Sequence, residues 1–240
     1  MGKAIAQIAA SKGHEVVFRW TSADWQGTPP RYPAHPDVVI DFTAPDRAAD
    51  RLIHLAELGV PVVSGTTGWL NRLPEVQDAF RHHGLSGIYG SNFSIGVNLM
   101  FLLNRQLAHW MNRFAEYDPF VEERHHVRKK DAPGGTALRL AHDLLHALDR
   151  KTSLALPGTL NARPPLPTEL SIAATRAGAI TGDHSVVYTS AVDELRIEHR
   201  AHTREGFASG AVWAAEYLVQ HPGIGFIAFE ELFAELAQPA

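Results

Sequence analysis

The chain has 240 residues, with 22 Lys and Arg against 26 Asp and Glu for a formal net charge of −4. Hydrophobic residues make up 45% and charged residues 20%, a globular balance for one large or two small domains that excludes a disordered tail or a fibrous repeat. No overall basic field exists to hold nucleic acid, so an anion must be bound by a local cluster. Cys is absent, which excludes disulfides, thiolate metal sites and a cysteine nucleophile and fits a reducing, cytoplasmic setting. No apolar run reaches the roughly 18 residues that a membrane span needs, and no secretory pattern opens the chain.

Residues 1–93 alternate helix-like and strand-like stretches. Ala4, Ile5, Ile8 and Ala9 share one helical face, and Gly13 offers a C-terminal stop. Short apolar strands are expected at Val16–Phe18 and Val38–Phe42. Pro45 then opens a helix with Leu52, Ile53, Leu55, Ala56 and Leu58 inward, ended by Gly59. Val60–Val63 reads as a strand running into Gly65-Thr66-Thr67-Gly68. A helix through the seventies and a strand at Leu85–Tyr89 follow. This β-α-β-α repeat predicts a parallel sheet with helices on both faces.

The second part differs. Val97–Asn112 is an apolar helix and Phe120–Glu123 a strand; Leu138, Ala141, Leu144, Leu145 and Leu148 make an amphipathic helix face. A Pro-rich loop with Pro157, Pro164, Pro165 and Pro167 leads to Leu170–Thr175, Ser185–Thr189 and Leu195–Ala201, which alternate like half-exposed strands. Helices near Phe207–Val219 and Phe229–Leu236 are expected to return to the first domain. A dinucleotide-binding unit normally begins with a strand and a glycine-rich turn. Here Met1-Gly2-Lys3 leads straight into a helix, so that strand and turn are expected to lie upstream or to be lacking.

The densest chemistry runs from Glu123 to Thr136. Arg124, His125, His126, Arg128, Lys129 and Lys130 put six basic side chains into seven positions, whose mutual repulsion is expected to lower their pKa values unless an anion binds. Gly134-Gly135-Thr136 then opens a helix whose unpaired N–H groups form a second anion seat. Such a charge run is commonly just a solvated face. The His pair and the glycine-rich helix start favour a small carboxylate- or phosphate-bearing ligand with proton donors close by. No metal site is expected, because adjacent histidines point apart on a strand and no His-Glu-x-x-His spacing occurs; His82-His83 reads as surface.

These residues resemble the 4-hydroxy-tetrahydrodipicolinate (dihydrodipicolinate) reductase family of the diaminopimelate route to lysine. The family stretch Glu-x-x-His-His-x-x-Lys-x-Asp-Ala-Pro-Ser-Gly-Thr-Ala is matched from His125 through Lys129 and Asp131-Ala132-Pro133 to Gly135-Thr136-Ala137. Gly134 stands in place of the family Ser, and Glu123 lies two positions before His125. Met1–Ile5, Val38–Pro45, Ser64–Gly68, Ser91–Asn98 and Arg176-Ala177-Gly178 with Gly182 and His184 resemble further family segments in order.

The resemblance implies roles. His125 would donate or accept the proton, with Lys129 as a second donor. His126, Gly135, Thr136 and Thr67 would contact a cyclic dicarboxylate substrate. Gly65, Thr66 and Thr67 with Gly90, Ser91, Asn92 and Phe93 would line the nicotinamide end of the cofactor, Phe42 and Thr43 would flank the dinucleotide, and Met1 would sit at the tail of its glycine-rich turn. Arg19, not an acid, follows Val16-Val17-Phe18, which favours the 2′-phosphate of NADPH, with NADH also used. The expected fold is α/β: a Rossmann-like dinucleotide-binding domain lacking its first strand (1–93 and 207–240) and an α+β substrate-binding and oligomerisation domain with an open mixed sheet (94–206). A homotetramer is implied, without nucleic acid or membrane as partner. Two alternatives stay open. One is another two-domain nicotinamide dehydrogenase; the other is a non-catalytic dinucleotide- or dicarboxylate-binding protein derived from the reductase.

Overall fold

The computed structural model describes residues 1–25, 35–156, 158 and 163–237. The chain divides into two compact units, one of Met1–Ile95 with Glu205–Glu235 and one built on Gly96–Arg204. Among the described residues no helix is long and apolar enough to cross a membrane.

In the first unit, α1 (Gly2–Ser11) buries Ile5, Ala6 and Ala9, and Gly13 at φ 86° turns the chain out of it. Four short strands follow in a parallel sheet ordered β1 (Val39–Asp41), β2 (Val62–Ser64), β3 (Gly87–Tyr89) and β9 (Phe226–Ala228). Helices α2 (Ala48–Glu57) and α3 (Leu73–His82) pack Leu52, Leu55, Val76 and Phe80 around Val62 and Phe226. Helix α6 (Glu205–Gln220) packs against β1, β2 and β3 and against α1.

Val16–Phe18 is not a strand: Val16 and Val17 are 38% and 39% exposed, and β1 pairs with β2 and not with this segment. Pro45 does not open α2. It sits in a turn, and Arg47 at φ 58° resets the backbone before the helix begins at Ala48. Leu58 is exposed because it lies beyond the last helical residue.

In the second unit, α4 (Ile95–Met111) and α5 (Gly135–Ala147) share a core with a five-stranded mixed sheet. Its order is β5 (Ser153–Ala155), β6 (Glu169–Arg176), β4 (Asp118–His125), β7 (Asp183–Thr189) and β8 (Glu194–Arg200). β5, β6 and β4 run parallel, while β7 is antiparallel to both β4 and β8. β7 is not half-exposed as its alternation suggests. It is buried from Asp183 to Tyr188, on both faces of the strand. Pro164 and Pro165 lie in irregular chain and Pro167 in a turn; Pro157 lies outside the described residues. β4 runs two residues further than expected, which sets His125 as its last residue.

Candidate active site

Side chains on a strand alternate between faces, so Val121, Glu123 and His125 share one face of β4. The register sets Glu123 opposite His184 of β7 and His125 opposite Arg176 of β6. Val121, Ile172 and Val186 on these strands pack into the core around α5. At the strand ends the same face turns polar, and there the N-terminus of α5 arrives.

Glu123 is fully buried and organises the cluster. Both its oxygens accept from the backbone N–H of Gly134, each at 3.0 Å, so the carboxylate caps the start of α5. The Arg176 guanidinium donates to Oε1, and also to the Asp131 carbonyl. His125 Nε2 and His184 Nε2 lie 3.7 and 3.8 Å from Oε2 and 3.3 Å from each other. Lys129 Nζ donates to Asp131 at 2.7 and 2.8 Å. A Cβ on Gly134 would lie 2.8 Å from Lys129 Cε and 2.9 Å from Glu123 Oε2, so glycine lets the lysine lie against the helix start. A Cβ on Gly182 would lie 2.8 Å from His125 Cε1, so that glycine makes room for the imidazole.

Burial pushes the His125 imidazole below its ordinary value. Lys129 and Arg176 act in the same direction, against Glu123 and a hydrogen bond to the Thr181 backbone. His184 is pushed down to about 3, again chiefly by burial, with His125 and His199 adding to it. The main cause is therefore desolvation, not the crowding of cations expected from the sequence. That crowd is dispersed by alternation: Arg124 lies on the other face of β4, paired with Asp183 at 3.0 Å and Glu198 at 3.4 Å, while Arg128 and Lys130 are exposed.

Glu123, His125 and His184 have ligand atoms within 4.8 Å of one another, a spacing that a metal could use. Arg176 already neutralises that carboxylate and Lys129 stands beside it, which disfavours a dication and leaves a cluster suited to moving protons. The sequence pattern contained Arg176 and His184 but gave them no role, and it gave Glu123 none beyond heading the motif. The strand register is what brings them to His125. His126 is half-buried beside this cluster with a buried Nδ1 lacking a partner among the described residues; Gly135 is exposed and Thr136 half-buried in the first turn of α5.

In the first unit, the segments after β1, β2 and β3 all leave the carboxyl ends of parallel strands, where open α/β sheets bind ligands. Buried Asp41 accepts from the hydroxyls of Thr43 at 2.6 Å and Thr66 at 2.9 Å, and the Thr43 N–H donates to Thr66 Oγ1 at 3.0 Å. The Gly65 N–H donates to the Asp41 carbonyl, and the Gly90 N–H to that of Ser64. The Phe42 ring fills the space of a Gly65 Cβ, within 2.1 Å of it. Thr67 and Ser91 are exposed, Asn92 half-buried and Phe93 buried. The set fits one end of a dinucleotide: a flat ring, exposed hydroxyls and backbone that can be approached closely. Met1 stands at the start of α1, which has no side-chain cap, so its first-turn N–H groups suit an anion. Arg19 is exposed in the strandless segment after α1.

Comparisons with known proteins bear on both units. Residues 1–93 match the family described as Dihydrodipicolinate reductase, N-terminus, and residues 96–233 the one described as Dihydrodipicolinate reductase, C-terminus. The chain is 37% identical over 224 residues to a 4-hydroxy-tetrahydrodipicolinate reductase of Christiangramia forsetii, covering 93% of this chain and 90% of that one. It is 37% identical over 220 residues to the protein of the same name from Methanosarcina mazei, covering 91% and 76%. The solved structure of dipicolinate-bound dihydrodipicolinate reductase from Paenisporosarcina sp. TG-14 has a TM-score of 0.74 to this one at 20% identity, covering 97% and 95%, a likeness of fold.

Proposed function

The chain belongs to the dihydrodipicolinate reductase family, and from that premise we propose how its own residues carry out the NAD(P)H-dependent reduction of 4-hydroxy-tetrahydrodipicolinate in lysine biosynthesis. NADH or NADPH supplies a hydride to the unsaturated ring when bound. The 4-hydroxyl leaves as water with a proton from the adjacent ring carbon, which gives the unsaturated ring that takes the hydride; that adjacent carbon then takes up a proton, and His125 governs that transfer. The observation that carries this reading is the placement of His125 at the end of β4, 13% exposed and with its nitrogen 3.7 Å from a buried carboxylate.

The substrate is a dianion, and the second unit offers it cations and amides. Lys129 is held in the resting protein by an exposed aspartate, a pair worth no more than about 1 kcal/mol, so a substrate carboxylate can replace Asp131 at small cost. His126 and the first-turn residues Gly135 and Thr136 complete this seat. With its carboxylate satisfied, Lys129 serves as the second proton donor. In the first unit, Phe42, Thr43, Gly65, Thr66, Thr67 and Gly90–Phe93 hold the nicotinamide half, and Met1 at the start of α1 faces the phosphates. A cytoplasmic homotetramer built through the open five-stranded sheet belongs to the same reading; its edge strand β8 is largely exposed.

Replacing His125→Gln tests the reading. General acid–base catalysis contributes about 10²- to 10⁴-fold, so kcat should fall by that order while KM changes little. An unchanged kcat removes His125 from the reaction.

A further inference from the structure

We propose that His184 is a positioning residue for His125: its Nε2–H donates to the Nε2 lone pair of His125 and holds that ring in the tautomer that carries its proton on Nδ1. The inference rests on the reading of His125 as the acid–base group. It begins from a buried atom. His184 is 6% exposed on β7, and its Nδ1 is buried with no hydrogen-bond partner among the described residues. A proton on that nitrogen would be an orphaned buried donor, costlier than a bare lone pair, so the proton belongs on Nε2. From there its nearest acceptor among the described residues is His125 Nε2 at 3.3 Å; Glu123 Oε2, at 3.8 Å, is too far for a good bond.

The other edge of the His125 ring agrees. Its Cε1–Nδ1 edge lies against Gly182, away from His184, so Nδ1 is free to carry the ring proton. The neutral His125 is thus held at Nε2 as an acceptor, with its proton on Nδ1. Protonating it would set a second N–H against the N–H of His184. His184 therefore biases His125 toward its neutral form and a single orientation. The charged groups around the pair are Glu123 on β4, Lys129 with Asp131 on the following loop, Arg176 on β6 and His199, the register partner of His184 on β8. None of them takes a hydrogen bond from either histidine's Nε2 at usual length.

The experiment follows the His125 imidazole by NMR in labelled full-length chain, across pH, in wild type, His184→Gln and His184→Leu. The glutamine amide keeps a donor at similar reach, and the leucine removes it. The expected result is a rise of about 0.7 pH unit in the His125 titration for His184→Leu, the worth of one hydrogen bond to the neutral form, with loss of the Nδ1–H tautomer signature. His184→Gln should stay close to wild type. The pH profile of kcat/KM should move by the same amount in the same order. A His125 titration unmoved in folded His184→Leu, or moved equally in both variants, overturns the proposal. His125→Gln separates the two readings: a full rate there overturns the acid–base assignment, while the NMR result still decides the contact.

Discussion

In the second unit, Glu123, His125, Arg176 and His184 hold one another through side chains carried by three strands and capped by a helix start. In the first unit, the loops after β1, β2 and β3 are held by backbone bonds, a threonine–aspartate network and glycines pressed against aromatic rings or carbonyls. The difference suits the role proposed for each. Moving a proton needs ionisable groups whose environment sets their charge, and burial does that. Holding a flat, extended cofactor needs close approach of backbone, and glycine allows it.

The close backbone packing of the first unit is tightest at Gly210, in the middle of α6. A Cβ there would lie 1.7 Å from the Phe93 carbonyl oxygen, with no flexible side-chain end to yield. Helix and loop must part, so Gly210→Ala should lower stability by about 3 kcal/mol or more in denaturant unfolding, despite alanine's better helix propensity. A stability equal to wild type would mean that the loop ending at Phe93 is not held by backbone contact. In the second unit, the corresponding fault would be electrostatic.

That electrostatic side is sharpened by pH. His184 titrates near 3 in the folded chain, below its ordinary 6.5. Between these values the unfolded chain binds the extra proton and the folded chain does not. Its contribution to stability is therefore complete above about pH 6.5 and is lost as pH falls toward 3, with a slope of about 1.4 kcal/mol per pH unit. His125 and His199 are also lowered and add in the same direction. Unfolding free energy measured against pH should lose about one proton's worth of slope in His184→Gln. An unchanged slope would mean that His184 is not buried neutral.

How much of this the sequence made legible follows the same division. Helices α4, α5 and α6 follow from apolar periodicity, because their cores are local patterns. The stretch from His125 to Thr136 is local too, and it marked the candidate site. The partners of His125 were not legible as such: Arg176 lies 53 residues from Glu123 and His184 lies 59 from His125, and only the strand register joins them. Val16–Phe18 shows the opposite failure. Its apolar run has strand propensity, but a strand needs a neighbour, which no propensity supplies.

The smallest effect is expected at Arg19, where the first unit would depart from its own rule by using a side-chain charge. Arg19 is exposed and lies after α1. A solvent-exposed guanidinium–phosphate pair is worth about 1 kcal/mol at most, or roughly fivefold in affinity. Arg19→Ala should thus raise KM for NADPH by about fivefold and leave KM for NADH within about twofold, since only the former carries a 2′-phosphate. Raising the salt concentration should shrink the wild-type preference in parallel, because exposed charges are screened. Equal changes for the two cofactors would show that Arg19 does not read the phosphate and that the unit selects its ligand through backbone and threonines alone.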